Sequence, residues 1–231
     1  MLPIDSTRNQ LQLSANPLLA THAVKSVDVA ELQAPTIHRH LLRETKRDIR
    51  DLRRKQTAAE AIAGLDHVHE IYGFTKGQFG LLQLLEAILE RTGPARVSLS
   101  TWTAARHEIQ TLDRHVKAGR LLSMRWLIDF SFARRDPEAA HQIRQTFGLD
   151  AIRVAQNHSK FALIEAEGWE LVLRTSMNLN MNPRLEDFTL AHDPALASFL
   201  REVLNDIWTR QKRSLADASG REQRQFFTHE L

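Results

Sequence analysis

Of the chain's 231 residues 42% are hydrophobic, enough for one packed domain with an appendage, which excludes wholesale disorder. The absence of cysteine removes disulfides, thiolate zinc sites and a cysteine nucleophile together, and fits a reducing interior. The net charge of +3 is mild, no apolar run approaches the about 18 residues of a membrane span, and Met1 to Ser6 open no signal peptide, so a soluble, cytoplasmic protein is expected.

Residues 1–36, with Pro17 and Pro35, show weak periodicity and read as an arm. Residues 38–63 are rich in helix formers and stop at Gly64, which predicts a helix. Its apolar positions, among them Leu41, Ile49 and Leu52, are too sparse for a deep core element. Basic residues crowd it, including Arg43, Lys46, Arg47, Arg50 and Arg54, against only Glu44, Asp48 and Asp51 nearby. Two readings stand. The stripe is a footprint for a polyanion, with Arg43, Arg47, Arg50 and Arg54 on phosphates, or it is a solvated face paired at i,i+3 and i,i+4. Residues 1–64 are taken together as an N-terminal arm and basic helix.

Thr75-Lys76-Gly77-Gln78 is predicted to cap a helix that carries Leu81, Leu82, Leu84, Leu85, Ile88 and Leu89 and ends at Gly93-Pro94. It lacks the G-x4-G-K-[ST] pattern of a nucleotide phosphate loop. A strand at 96–100, a helix at 104–118 and a strand at 124–130 follow. Pro137 opens a helix to Phe147 with Gly148 as its cap. Strands are predicted at 151–155, 161–166, 169–174 and 188–191, and Pro194 opens a last helix ending near Trp208 and Arg210. This order predicts an α/β fold over residues 65–212: a mixed β-sheet flanked by helices on both faces, with an N-terminal helical extension. Residues 213–231 read as a polar tail.

The chemistry concentrates at His158-Ser159-Lys160, where the chain enters the strand at 161–166. In extended chain residues i and i+2 face the same way, so His158 and Lys160 are predicted to project together and Ser159 away. An imidazole beside an ammonium suits attack on a phosphate, with the ring as nucleophile and the cation on the phosphoryl oxygens. Ser176 and Asn178 add neutral donors, and the Glu186 carboxylate can orient an imidazole. The other histidines offer no comparable set. His38 with His40 and His67 with His69 lack helical ligand spacing, no His-Glu-x-x-His occurs, and no metal site or cofactor is expected. Trp102, just past a strand, either packs in the core or lines a substrate path.

This ordered set resembles the phospholipase D superfamily, whose pattern is H-x-K-x4-D, then G-S-x-N-x3-N, then an acidic residue. His158 and Lys160 match the first part, Ser176, Asn178 and Asn182 the second, and Glu186 the acidic position. Glu165 stands where the family has Asp, a mainly structural position, and Thr175 where it has Gly, which bears on the shape of the phosphate loop. The resemblance spans about residues 65–210 and implies a phospholipase D-like half that cuts phosphodiesters through a phosphohistidine, without metal. The motif occurs once, where many relatives carry it twice, so the resemblance implies a homodimer with a shared site. A nuclease acting on DNA or RNA is the leading expectation. A dormant nucleic-acid-binding dimer and a phospholipase-type enzyme are the alternatives, and no stable membrane association is expected.

Overall fold

The computed structural model describes residues 46–50 and 57–211. An eight-stranded sheet organises them, in the order β1-β2-β8-β7-β6-β3-β4-β5. The strands are β1 (Lys46–Arg50), β2 (His69–Thr75), β3 (Ala95–Thr101), β4 (Leu121–Asp129), β5 (Ile152–Ala155), β6 (Phe161–Ala166), β7 (Trp169–Thr175) and β8 (Glu186–His192). Strands β3, β4 and β5 pair in parallel, as do β1 and β2, while each strand in the run β2-β8-β7-β6-β3 is antiparallel to its neighbours. The predicted mixed sheet is present.

Helices cover both faces. Alternation along the central strands decides which residues meet which helices. Ala162, Ile164, Leu171, Leu173, Phe188 and Leu190 face the main core with Val97, Leu99 and the fully buried Trp126. The helices α2 (Leu81–Thr92), α3 (Arg106–Lys117) and α5 (Pro137–Phe147) supply the other side of that core, joined by the short α1 (Ala58–Ala61) and α4 (Phe132–Arg135). Leu163 and Val172 point the opposite way, against Ala197 of α6 (Pro194–Arg210). The polar anchor on that side is Arg201, whose Nε donates to Glu165 Oε1 at 2.9 Å and whose Nη2 donates to Glu170. Glu165, at the position where the family pattern has Asp, is thus a strut between β6 and α6.

Two helices begin as the prolines indicate. Asp136 and Asp193 each accept a backbone N–H two residues past Pro137 and Pro194, both at 3.0 Å, so acceptor and fixed φ act together. Elsewhere local signals mislead. The helix expected over 38–63 contains strand β1 instead, and only Ala58–Ala61 are helical within its described part. Pairing Arg47 with Glu70 and Arg50 with Gly73 gives β1 ladder partners that lie outside its own sequence, and this outweighs helix propensity. Strand β2 carries little apolar alternation in the sequence, because its inward residues are Ile71, Gly73 and Thr75. Thr75–Gln78 does not cap the following helix. Thr75 ends β2, Gln78 Oε1 accepts Lys76 N–H at 2.5 Å in a local turn, and α2 starts at Leu81 with Gln83 bonding Gly80 N–H.

Among the described residues no helix is long and apolar enough to cross a membrane.

Candidate active site

The carboxyl ends of β2, β3, β4, β5 and β7 and the amino ends of β6 and β8 share one edge of the sheet. His158 and Lys160 stand there, in the extended approach to β6. The predicted co-projection is present: Lys160 Nζ lies 3.1 Å from His158 Nδ1 and 3.2 Å from Nε2, and donates to His158 O at 2.8 Å. His158 is exposed and Lys160 half-buried. Burial pulls the Lys160 ammonium below the usual lysine range, and the Glu186 carboxylate opposes that pull.

Ser159, although exposed, directs its hydroxyl to Asn157 and Ser100. Its N–H and hydroxyl both donate to Asn157 Oδ1, at 3.0 and 2.6 Å, and its hydroxyl lies 2.8 Å from Ser100 Oγ. Asn157 is the buried post of this loop. Its Nδ2 lies 3.0 Å from Ser100 Oγ, 3.2 Å from Leu127 O and 3.3 Å from Thr101 O, and its N–H donates to Asp129 Oδ2 at 3.2 Å. One amide therefore ties β3, β4 and the histidine loop together. Neither Asn157 nor Asp129 belongs to the His-x-Lys motif, and the sequence signal for them is only that they are polar residues at strand carboxyl ends, where α/β sheets place their sites.

Ser176 and Glu186 meet across the β7–β8 connection. The Ser176 hydroxyl donates to Glu186 Oε2 and accepts Asp187 N–H at 3.0 Å. Thr175, in place of the pattern's Gly, closes the turn: its hydroxyl donates to Asp187 O at 2.6 Å and accepts Met177 N–H at 3.0 Å. Thr175 N–H also donates to Lys160 O at 3.1 Å, which sets Ser176 beside the lysine strand. Asn178 also has a structural contact. Its Oδ1 accepts Trp102 N–H at 3.3 Å, so it fastens this loop to the end of β3.

The rest of the loop is held from two sides. Gly77, at φ +83°, packs so closely on it that a Cβ there would meet Pro183 Cα at 2.7 Å, and Asn182 O at 3.4 Å. Glu108 of α3, 6% exposed, bonds the Met181 backbone, and burial pushes its carboxyl up. From Lys160 and Ser176 a cleft of about 530 Å³ runs along α6, lined by Phe161, Arg174, Thr189 and Leu200 among others.

Of the expected phosphate-contacting arginines, Arg47 and Arg50 lie in β1, while Arg43 and Arg54 lie outside the described residues. Among the described residues no three His, Asp or Glu side chains group to hold a metal ion. His67 stacks on Trp169 with centroids 4.1 Å apart at the opposite edge of the sheet, and donates to Gly168 O at 3.0 Å.

No protein-family model matches the chain, and no curated protein matches it. Among solved structures it is similar to Nuc of Salmonella typhimurium, a phospholipase D family member. The identity is 18% and the TM-score 0.45, over 62% of this chain and 95% of that one. NucT of Helicobacter pylori shares 12% identity at a TM-score of 0.43, over 60% and 95% of the two chains. Polyphosphate kinase of Porphyromonas gingivalis shares 13% at a TM-score of 0.48, over 67% of this chain and 27% of the kinase. These likenesses are of fold. The chemistry rests on the residues of this chain.

Proposed function

We propose that the protein hydrolyses phosphodiesters through His158 as nucleophile, as a homodimer acting on nucleic acid. One observation carries this reading: an exposed imidazole with a lysine ammonium within 3.2 Å of both ring nitrogens, at the sheet edge that also holds Ser176 and Glu186. In the first step a ring nitrogen of His158 attacks phosphorus, an N–P bond forms and the P–O bond to the leaving group breaks. The His158 of a second copy gives the leaving oxygen its proton. Water then attacks phosphorus, gives its proton to that second histidine, and frees the first. Lys160 offsets charge on the non-bridging oxygens, with Asn178 as a neutral donor and Ser176 as a second once its hydroxyl turns from Glu186 to the phosphate. Glu186 orients an imidazole, and here it also holds the Ser176 hydroxyl.

The second copy is supported by apolar side chains beside this edge. Phe74, Met181 and Leu185 are 40%, 53% and 63% exposed. Nucleic acid is supported by the exposed Arg174 in the cleft and by β1, whose Arg50 end runs toward the same edge as Thr75 and Glu186.

The test offers purified protein a chromogenic phosphodiester, single-stranded DNA, plasmid and RNA, all in chelator, and quenches in alkali. Expected are cleavage and an acid-labile phosphate on His158. Binding of nucleic acid with no cleavage of any substrate would instead assign a dormant site, and cleavage confined to phospholipid esters would replace the substrate class.

A further inference from the structure

Trp102 follows β3 directly, on the same edge as His158, and its surroundings differ from those of a core tryptophan. Trp126, one strand over, is fully buried, whereas Trp102 is only half-buried. The Arg135 guanidinium lies over the Trp102 ring, 3.7 Å from its centroid. Arg135 is itself fixed: Nη2 donates to Trp102 O at 2.8 Å, Nε donates to Ser131 Oγ at 3.0 Å, and Asp129 Oδ1 lies 3.9 Å away. On the main chain, Trp102 N–H is held by Asn178. The indole centroid stands 6.0 Å from the His158 ring, with the planes 57° apart.

This is a ring held in place through one face and through its backbone, left part-open beside the attacking imidazole. A guanidinium against an indole is an attractive contact that orders the ring without sealing it in the core. An aromatic face so placed suits another flat ring, because base–aromatic stacking needs only a π-face on each side. A base within a duplex has both faces covered by its neighbours, so the matching ligand is an unpaired base.

We propose that Trp102, backed by Arg135, is a stacking subsite for an unpaired nucleobase flanking the phosphodiester that His158 attacks. The inference rests on the phosphodiesterase reading and adds a substrate class to it: single-stranded nucleic acid over duplex. It makes Trp102 a binding residue and Arg135 a positioning residue behind it.

The experiment compares wild type, Trp102→Phe, Trp102→Leu and Trp102→Ala on single-stranded oligonucleotides with one cleavable linkage, flanked by either a base or an abasic site. Trp102→Leu and Trp102→Ala should lower kcat/KM on the base-bearing strand by about ten-fold or more beyond any loss on the abasic one. Trp102→Phe should keep most of the base preference. Arg135→Gln should fall between. Should Trp102→Ala fail to fold, the Leu and Phe variants decide the matter, since both fill the site and only one carries a ring. Equal losses on base-bearing and abasic strands, or none on either, overturn the subsite while leaving the hydrolase intact. If wild type cleaves nothing, the hydrolase reading falls. The subsite is then judged by anisotropy with the same two strands, where Trp102→Leu must lose the preference for the base-bearing one.

Discussion

Lys160 lies within 3.2 Å of both ring nitrogens of His158 and bonds its carbonyl, so the two side chains work as one unit. Their substitutions should nevertheless separate. His158→Ala removes an exposed ring and little packing, so the fold and substrate binding should survive while turnover drops by about three orders of magnitude or more. Lys160→Ala should cost turnover about a hundred-fold and also raise KM, because the phosphate loses its cation. Steady-state kinetics on one chromogenic phosphodiester reads both, and wild-type turnover by His158→Ala would mean the wrong centre has been named. Away from the site, Asp66 tests a different kind of residue effect. It accepts Val68 N–H, His69 N–H and the His69 ring at 2.8, 2.7 and 2.7 Å, and these bonds lower its pKa from 3.8 to about 2. A depressed carboxyl stabilises the fold above its unfolded value and loses that effect as pH falls through its folded one. Asp66→Ala should therefore lower the urea midpoint at neutral pH, with the gap to wild type closing between about pH 3.8 and 2. A gap that stays constant across that window would show that the carboxylate charge contributes nothing.

The site loop is an element defined by what clamps it. Gly77 supplies the turn that presses on Pro183, Glu108 takes the Met181 backbone, and Thr175 closes the start through Asp187. A side chain at position 77 must both adopt φ +83° and displace Pro183 Cα, which is backbone and cannot rotate away. Gly77→Ala should thus cost about 1–3 kcal/mol of stability. It should also loosen residues 176–186, which amide exchange can read directly. Faster exchange confined to β2 and α2, with residues 176–186 still protected, would argue that the loop holds itself. On the other face of the sheet, α6 rests on a small apolar cluster and on Arg201, which ties it to β6 and β7 at once.

At the scale of the whole molecule, the shared-site mechanism needs two copies. Sedimentation at micromolar concentration should give twice the chain mass of 26.4 kDa. A monomer that cleaves phosphodiesters at full rate would require both acid and nucleophile from one chain, which supplies the motif once. The basic segment belongs to this scale too, because its effect is summed over charges. If Arg43, Arg47, Arg50 and Arg54 meet phosphates, replacing them with Ala should reduce the salt slope of duplex binding by about 0.9 per lost contact. An unchanged slope would return the segment to the role of a solvated face.

What the sequence by itself determined is local or short-period. His158 and Lys160 had to co-project because extended chain repeats every two residues. Pro137 and Pro194 had to start helices because each follows an aspartate and brings a suitable φ. Ordered spacing from His158 to Glu186 indicated which residues gather, and the structure does place His158 with Lys160, and Ser176 with Glu186, at one edge. Tertiary structure alone decided the rest, since each such contact joins segments far apart in the chain. Lys46–Arg50 is a strand because β2 supplies its ladder, Asn178 faces the end of β3, and Asn157 pins three segments through one amide. The setting of Trp102 belongs here as well. Neither its sequence neighbours nor any periodicity says that Arg135 will lie across its ring, because only the folded sheet brings the ends of β3 and β4 together.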